Sequence, residues 1–283
     1  MDVGFWPGLT GGGEGDVCRE AAGGVLCAFF VLSLLSLSRT LLPWHARSTN
    51  PHPHLAGVDD DTLGDVFLIY ARTSAKGISL FLVEKGMEGF TLGSRIKDKL
   101  GMRASATAEL SFQDVRVPRA NLVGDLDKAV LCMMRNLEIE RVGLGAMATG
   151  IARRCVEVMN AYGTEREAFG KPIREFGQIQ RHIAESFASY AAGRCYLYTT
   201  SNGLALDASG NRLHTDGVKL FCTTMAKQVA DNAIQVLGGN GYTGEYQVEQ
   251  LWRDSKLLEI GGGTLESHHK NMVRDLAAMD KLE

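Results

Sequence analysis

A glutamate within an apolar stripe is the first residue whose setting suggests catalysis. Four residues of the segment 126–160 are spaced so that they share one face of a helix: Met133, Leu137, Glu140 and Leu144. A carboxylate on a buried face must be paired or protonated, and desolvation raises its pKa. A raised pKa suits a general base that removes a proton from a weakly acidic C–H group. The alternative is a glutamate at the edge of the stripe that pairs with Arg141 or Arg135.

Two glycine-rich segments are candidate anion sites. The segment QVLGGNGYTGEY contains Gly238 and Gly239, and the segment IGGGT contains Gly262 and Gly263 before Thr264, a plausible helix N-cap. Bare backbone can approach a ligand closely, and N–H groups at a helix start can hold phosphate oxygens. The alternative is two ordinary helix-to-helix connections. Neither segment has the spacing of the two common nucleotide-binding fingerprints.

Composition argues against some classes of function. The 283 residues carry a formal net charge of −3, and no basic stripe indicates nucleic-acid binding. The six cysteines include no C-x-x-C pair, a pattern that indicates reduced thiols in an intracellular protein. The seven histidines, among them the adjacent His268 and His269, show no metal-ligand spacing on a helix. We therefore expect ordinary surface histidines and no metal site.

The chain divides into three parts, and their order predicts an α+β fold. Residues 1–60 form an unassigned N-terminal extension. Residues 61–123 contain runs such as DVFLIYAR and ISLFLVEK, which predict a partial β-domain. Residues 124–283 contain few prolines and have apolar residues at helical spacing, which predicts an all-α C-terminal helical bundle. We expect its helices near 126–160, 175–205, 215–237 and 264–280.

The extension contains an apolar run, Val25–Leu37, with two possible interpretations. The run is shorter than the roughly 20 residues of a membrane-spanning helix and has the length of a signal-peptide core. No basic segment precedes it, and acidic residues argue against a mitochondrial transit peptide. We favour an extension outside the fold over a membrane anchor.

Four segments together resemble the acyl-CoA dehydrogenases, flavoproteins that oxidise acyl-CoA thioesters to 2-enoyl-CoA. They are DKLGMRASATAELSFQDVRVP, EREAFGKPI, QVLGGNGYTGEY and LWRDSKLLEIGGGT, in that order along the chain. The resemblance runs from about Asp61 to Leu276. It implies FAD as cofactor, an acyl-CoA as substrate and electron-transfer flavoprotein as electron acceptor. It also implies a homotetramer located in mitochondria.

The resemblance gives the glutamate in the apolar stripe a role. Many members of the family carry the catalytic glutamate in the loop before the conserved threonine, where this chain has Gly262. The isovaleryl-CoA dehydrogenase branch lacks it there and places the base in a helix motif similar to L-D-L-E-R. This chain reads LEIER, so the matching residue is Glu140. The resemblance therefore implies Glu140 as catalytic base and a short, branched acyl-CoA as substrate.

Other positions match ligand-contacting positions of the family one at a time. The positions that resemble FAD contacts are Arg166 at the pyrophosphate, Gln235, Gly238 and Gly239 at the adenine side across a subunit interface, and Thr264 and Glu266 at the flavin. The positions that resemble acyl-CoA contacts are Glu138, Arg141, Gly262 and Gly263.

Some segments of the family have no counterpart in this sequence. Residues 1–60 do not resemble the early β-domain segments that contact flavin, and Gly177 stands where the family has a glutamine that helps to bind FAD. Two hypotheses of function follow from the resemblance. One is a flavin-dependent acyl-CoA dehydrogenase of the isovaleryl type. The other is a catalytically incomplete member or fragment that acts only as an oligomer-forming subunit.

Overall fold

A computed structural model describes residues 54–56, 65–105, 107–205 and 211–279. Within these residues, short strands precede a bundle of long helices, as expected for the predicted α+β fold. Of the N-terminal extension, only residues 54–56 are described, and the apolar run Val25–Leu37 lies outside the described residues.

In the described residues before the bundle, short strands form two three-stranded antiparallel sheets. The strands are β1 His54–Ala56, β2 Val66–Arg72, β3 Ile78–Glu84, β4 Phe90–Arg95, β5 Ala108–Phe112 and β6 Leu122–Val123. One sheet has the order β1-β5-β4, and the other has the order β2-β3-β6. Phe67 and Val83 from one sheet share a buried cluster with Phe90 and Leu110 from the other. The two sheets therefore bury their apolar faces together.

The helical part of the described chain follows directly. Its helices are α1 Ala129–Glu165, α2 Gly177–Gly203, α3 Arg212–Leu237, the short α4 Gly239–Tyr242, α5 Val248–Ile260 and α6 Leu265–Leu276. A hairpin of two short strands, β7 Glu167–Ala168 and β8 Lys171–Pro172, joins α1 to α2. Helix α3 is central, because it packs against each of the other five helices.

The loop after β4 fixes the sheet region to the bundle. The backbone N–H of Met102 donates a hydrogen bond to Asp254 of α5 over 2.5 Å, and Arg253 donates to the Leu100 carbonyl over 2.8 Å. A methyl group at Gly101 would lie 2.5 Å from the Arg253 carbonyl oxygen, so only glycine fits against α5 there.

Small residues let α1 and α3 approach each other closely. A methyl group at Gly145 of α1 would lie 2.7 Å from the Cγ1 atom of Val218 on α3. Further along the contact, Ala148 and Ala152 of α1 and Ala226 of α3 have no exposed surface. The close crossing brings the turn of α1 that contains Glu140 against the first turns of α3.

The four predicted helices correspond to α1, α2, α3 and α6, but helix α5 was not predicted. Its segment, VEQLWRDSKLLEI, follows the glycine-rich connector and lacks the usual start signal of a helix. The residue before it is Gln247, in a left-handed conformation with φ of 62°. Helix α1 also extends past the predicted end near 160 to Glu165, where Tyr162 and Gly163 remain buried.

The described residues hold their cysteines as free thiols. Cys155 and Cys222 are buried, Cys132 is half-buried and Cys195 is exposed. Burial raises the pKa of the Cys155 thiol to about 12, so this thiol is unreactive at neutral pH. No helix in the described residues is both long enough and apolar enough to span a membrane.

Replacing Gly145 with Ala should destabilise the bundle by about 1–3 kcal/mol, because the added methyl group would push α1 and α3 apart. Gly150→Ala is the matched control on the same helix, since a methyl group there meets no atom within 4 Å. This control should stabilise the protein by about 0.5–1 kcal/mol through helix propensity. Chemical denaturation followed by circular dichroism measures both values. Equal effects of the two substitutions would contradict a close crossing at Gly145.

Candidate active site

Glu140 lies against the glycine loop between α5 and α6. Helix α5 ends at Ile260, and Gly262 and Gly263 follow with φ of +64° and +106°. A Cβ atom at Gly262 would lie 3.5 Å from Glu140 Oε1 and 2.5 Å from the Cδ1 atom of Leu144. Both the positive φ and the short distance to Leu144 require glycine, so this side of Glu140 is lined by bare backbone.

The carboxyl of Glu140 is only partly desolvated but lacks a protein partner. Its Oε2 atom is buried and has no hydrogen-bond partner. Burial raises the pKa of Glu140 from 4.5 to about 7, against the lowering effects of Arg141 and then Lys219. The carboxyl can therefore exchange a proton near neutral pH, which is what a general base requires.

The alternative prediction was an ion pair of Glu140 with Arg141 or Arg135. For Arg141 this prediction is wrong. The Arg141 guanidinium instead pairs with Asp216 of α3, with Nη1 2.9 Å from Oδ1. Burial lowers the pKa of Arg141, and Asp216 opposes that effect most strongly. Arg135 is exposed, so it offers Glu140 no buried partner.

Sequence analysis missed a buried polar network beneath the glycine loop. Asp216, Lys219 and His268 have no exposed surface. His268 Nδ1 lies 2.8 Å from Asp216 Oδ1, and His268 Nε2 lies 3.0 Å from the Gly263 carbonyl oxygen. Lys219 donates a hydrogen bond to the same carbonyl oxygen. The expectation of a surface histidine at 268 is wrong, because α6 turns this ring inward onto Asp216.

The segment TDGVK could have indicated this network. Asp216 and Lys219 lie three residues apart and share a face of α3 with the apolar Cys222 and Val229. Charged residues on a buried face need partners, but the partners come from α1 and α6. A single sequence does not show which residues of distant helices meet.

A second group of predicted residues lines a cavity at the far end of α1. The cavity has a volume of about 530 Å³, and its lining includes Arg166, Phe169, Phe176, Val236, Gly238 and Gly239. Gly238 has φ of +59°, and a methyl group there would meet no atom within 4 Å. A guanidinium, bare backbone and apolar side chains thus share one open surface. These features suit a ligand with both phosphate and aromatic parts.

The remaining predicted residues lie at the edges of these two sites. Gln235 is exposed in the last turn of α3, one residue before the lining residue Val236. Thr264 is the N-cap of α6 as predicted, but its side chain forms no capping hydrogen bond. The pKa of Glu266 is lowered, first by a hydrogen bond from the backbone N–H of Glu266 itself and then by one with the Thr264 side chain. Glu138 is half-buried, and its charge acts on Arg141.

The two sites lie at opposite ends of one helix. Glu140 is in the fourth turn of α1, and Arg166 follows the last residue of the helix. The 26-residue separation corresponds to roughly 39 Å along a helix axis. The predicted base and the predicted contact with the FAD pyrophosphate are therefore far apart in one copy of the chain.

Two family models match most of the described chain. The model of the C-terminal domain of acyl-CoA dehydrogenase matches residues 130–277, and that of the middle domain matches residues 60–115. The chain belongs to the acyl-CoA dehydrogenase family. This is a family of oxidoreductases, and FAD is its cofactor. The resemblance predicted from the four sequence segments is confirmed.

Curated members of the acyl-CoA dehydrogenase family share about two fifths of the aligned residues with this chain. Mitochondrial isovaleryl-CoA dehydrogenase of Oryza sativa subsp. japonica is 41% identical over 213 residues, covering 74% of this chain and 52% of the relative. Mitochondrial 2-methylacyl-CoA dehydrogenase of Solanum tuberosum is 38% identical over 221 residues, covering 76% and 52%. The chain thus spans about half the length of the curated relatives that it matches.

Solved structures of acyl-CoA dehydrogenases and of a related electron-transfer system share the fold. The acyl-CoA dehydrogenase of Bacillus anthracis complexed with FAD superposes with a TM-score of 0.72 at 27% identity, covering 77% of this chain and 40% of that one. A chain in the structure of the electron transferring flavoprotein of Acidaminococcus fermentans superposes with a TM-score of 0.72 at 32% identity, covering 78% and 58%.

The described residues show no group of three histidine, cysteine, aspartate or glutamate side chains that could hold a metal ion.

Replacing Glu140 with Gln should make the protein more stable at pH 7 and above, by roughly 2 kcal/mol after allowance for partial exposure. Because burial raises the pKa of Glu140 from 4.5 to about 7, the folded state keeps a proton that the unfolded state loses between these values. The contribution of Glu140 to stability is therefore present below pH 4.5 and is lost as pH rises to about 7. Glutamine at position 140 stays neutral at every pH, so the stability of the variant does not fall in this way.

Urea denaturation at a series of pH values measures this difference. The gap between Glu140→Gln and the natural protein should open between pH 4.5 and 7. Glu138→Gln, which removes a charge two residues away, is the control. A similar gap in both variants would indicate a general charge effect rather than desolvation of Glu140.

Proposed function

We propose that the protein is a flavin-dependent acyl-CoA dehydrogenase that oxidises a short, branched acyl-CoA, similar to isovaleryl-CoA, to the 2-enoyl-CoA. The observation that carries the proposal is the placement of Glu140, a half-buried carboxyl with a pKa near 7 beside the side-chain-free backbone of Gly262. Members of the family with an acidic residue in that loop would not need a carboxyl on α1.

Glu140 acts as the base on the substrate. It accepts the proton from the α-carbon of the thioester, and the two electrons of that C–H bond form the α,β double bond. The β-hydrogen would leave with its electron pair as hydride, for which bound FAD would supply the acceptor. The partly desolvated setting of Glu140 makes its carboxylate a stronger base than a solvated one.

The bare loop supports a branched acyl group. Neither Gly262 nor Gly263 places a side chain beside Glu140, so an acyl group bound there would meet only backbone on the loop side of the carboxyl. Relatives that act on isovaleryl-CoA and 2-methylacyl-CoA, by their names, share about two fifths of the aligned residues. Glu138 and Arg141 are proposed to lie near the acyl-CoA and not to act as bases. The side chain of Arg141 is buried and forms an ion pair with Asp216.

Residues at both ends of α1 would hold FAD. Arg166 suits the pyrophosphate, and Gly238 and Gly239 offer bare backbone beside the adenine, with Gln235 at the rim of the cavity. Thr264 and Glu266 lie at the start of α6, next to the loop that faces Glu140, and would contact the flavin. The cavity at Arg166 combines a cation, open backbone and apolar walls, so the residues present fit the nucleotide part of this cofactor.

A complete site requires two copies of the chain. Glu140 and Arg166 are roughly 39 Å apart along one rigid helix, further than one dinucleotide cofactor reaches. We infer that the Arg166 end of one copy meets the Glu140 end of another. The separation supports a site shared between two copies, as a homotetramer would provide.

Other proposals rest on the relatives. Electron-transfer flavoprotein is the proposed electron acceptor, because a chain in the structure of such a system shares the fold. A mitochondrial location is proposed, because the curated relatives named above carry mitochondrial names.

The purified protein should show a flavin absorbance band that bleaches when isovaleryl-CoA is added without oxygen. Glu140→Gln should keep the band and lose at least about 100-fold in bleaching rate, since general-base catalysis contributes about 10²–10⁴-fold. Glu157→Gln, an exposed substitution on the same helix, is the control and should bleach normally.

Two results would overturn this function. Bleaching that survives in Glu140→Gln would show that another group is the base. A protein that neither purifies with flavin nor binds added FAD would be an oligomer-forming family member without this activity.

Co-expression of two inactive variants should restore part of the activity. Arg166→Met should lose flavin at its own nucleotide site, and Glu140→Gln should lose the base. In a mixed oligomer, an intact Glu140 on one copy meets an intact Arg166 on the other, so some sites are complete. The recovered rate, measured on mixed oligomers isolated through a different affinity tag on each chain, should approach half of the normal activity per pair of unlike chains.

The matched control is a mixed oligomer in which one chain carries both substitutions and the other carries neither. In a pair of one doubly substituted chain and one natural chain, each shared site contains either Glu140 or Arg166 but not both. Equal activity of the two mixed oligomers would contradict a site that is built across two copies.

A further inference from the structure

Lys219 is a fully buried cation that the proposed chemistry has not used. It lies in the second turn of α3 and has no exposed surface. Its ammonium donates a hydrogen bond to the carbonyl oxygen of Gly263, and His268 Nε2 lies 3.0 Å from the same oxygen. The side chains of Lys219 and His268 therefore converge on one carbonyl oxygen of the glycine loop.

Residues from three helices hold this carbonyl in place. His268 of α6 is fixed on its other side by Asp216 of α3, whose Oδ1 atom also accepts from Arg141 of α1. The loop itself has no side chain that could hold it, since residues 261–263 are all glycine. A glycine loop with positive φ is otherwise free to adopt many conformations. The bonds to Lys219 and His268 determine where it stands relative to Glu140.

The charge of Lys219 also acts on Glu140. The charged and titratable groups that face Lys219 are Arg141 and Glu140 from α1, Asp216 from α3, Glu259 from α5 and His268 from α6. Among the described residues, Asp216 is bonded to Arg141 and His268, and Glu259 is bonded to Lys256. Glu140 is the facing carboxyl without a bonded partner, so it gains most from the charge of Lys219.

We propose that Lys219 is a positioning residue for the dehydrogenation. With His268 it fixes the Gly262–Gly263 loop against Glu140, and its charge keeps Glu140 available as a carboxylate. The inference deepens the proposed function and rests on the role of Glu140 as base.

The two groups define a narrow pH window. Burial raises the pKa of Glu140 to about 7, while burial and then the charge of Arg141 lower the pKa of Lys219 to about 8. Between these values, Glu140 is a carboxylate and Lys219 is an ammonium. As pH rises through about 8, Lys219 loses its proton, and Glu140 loses a neighbouring positive charge.

The test is a pH titration of the Glu140 carboxyl by ¹³C NMR on the whole chain labelled at glutamate. The Glu140 signal is the one that disappears in Glu140→Gln. In the natural protein, the signal should titrate near pH 7 and show a second, smaller inflection near pH 8, as Lys219 loses its proton. In Lys219→Met, the midpoint should rise by about one unit and the second inflection should vanish.

Two further variants separate charge from structure. Lys219→Arg keeps the positive charge and should keep the midpoint close to that of the natural protein. Lys227→Met makes the same change on α3 about 12 Å further along the helix and should leave the midpoint unchanged. A structural role alone would alter the melting temperature of Lys219→Met without moving the Glu140 midpoint, and that result would overturn the proposal.

The natural protein provides a second test if Lys219→Met does not fold. Absence of the inflection near pH 8 would show that Lys219 does not act on Glu140, and the proposal would fall. The titration uses neither flavin nor substrate. A chain that fails to bind flavin would therefore count against the proposed dehydrogenase and not against the coupling of Lys219 to Glu140.

Discussion

The close crossing of α1 and α3 is the constraint on which the rest of the site depends. Gly145 lies so near Val218 that a methyl group would not fit, and this contact sets the spacing of the two helices one turn beyond Glu140. At that spacing, the carboxyl leaves bulk water and lies near the cation on α3. A wider crossing would admit water, and the pKa of Glu140 would return toward its ordinary value. The raised pKa of Glu140 thus depends on the absence of a side chain at Gly145.

Buried charge in this network costs free energy that the apolar bundle has to offset. Each ion loses hydration, and only good hydrogen bonds compensate for that loss. The network is incompletely bonded, since one buried polar atom in each of Glu140, Arg141 and Asp216 has no partner in the described structure. A network built for stability alone would be fully bonded. The unbonded atom on Glu140 is understandable in a site whose carboxyl must stay free to accept a proton.

Features that depend on local pattern could be predicted from the sequence. Helical periodicity placed Glu140 on a half-buried face, and the three successive glycines correspond to a loop of bare backbone beside it. Sequence analysis missed Lys219 and wrongly placed His268 on the surface, because their partners lie more than 40 residues away in the chain. Helix α5 was missed for a different reason, since a left-handed Gln247 replaces the usual N-cap. Periodicity identifies which face is buried, whereas the partner of that face depends on packing between helices.

The length of α1 determines how the proposed enzyme must assemble. A continuous helix is a stiff spacer, and here it places the proposed base near one end and the nucleotide cavity beyond the other. In the proposed function, neither end is a complete site, because the proposed base and the proposed nucleotide site are separated within one copy. Phe169, at the tip of the hairpin that lines the cavity, is 95% exposed. On this interpretation, assembly is a condition of the chemistry, because no movement within one copy could bring the two ends of an intact helix together.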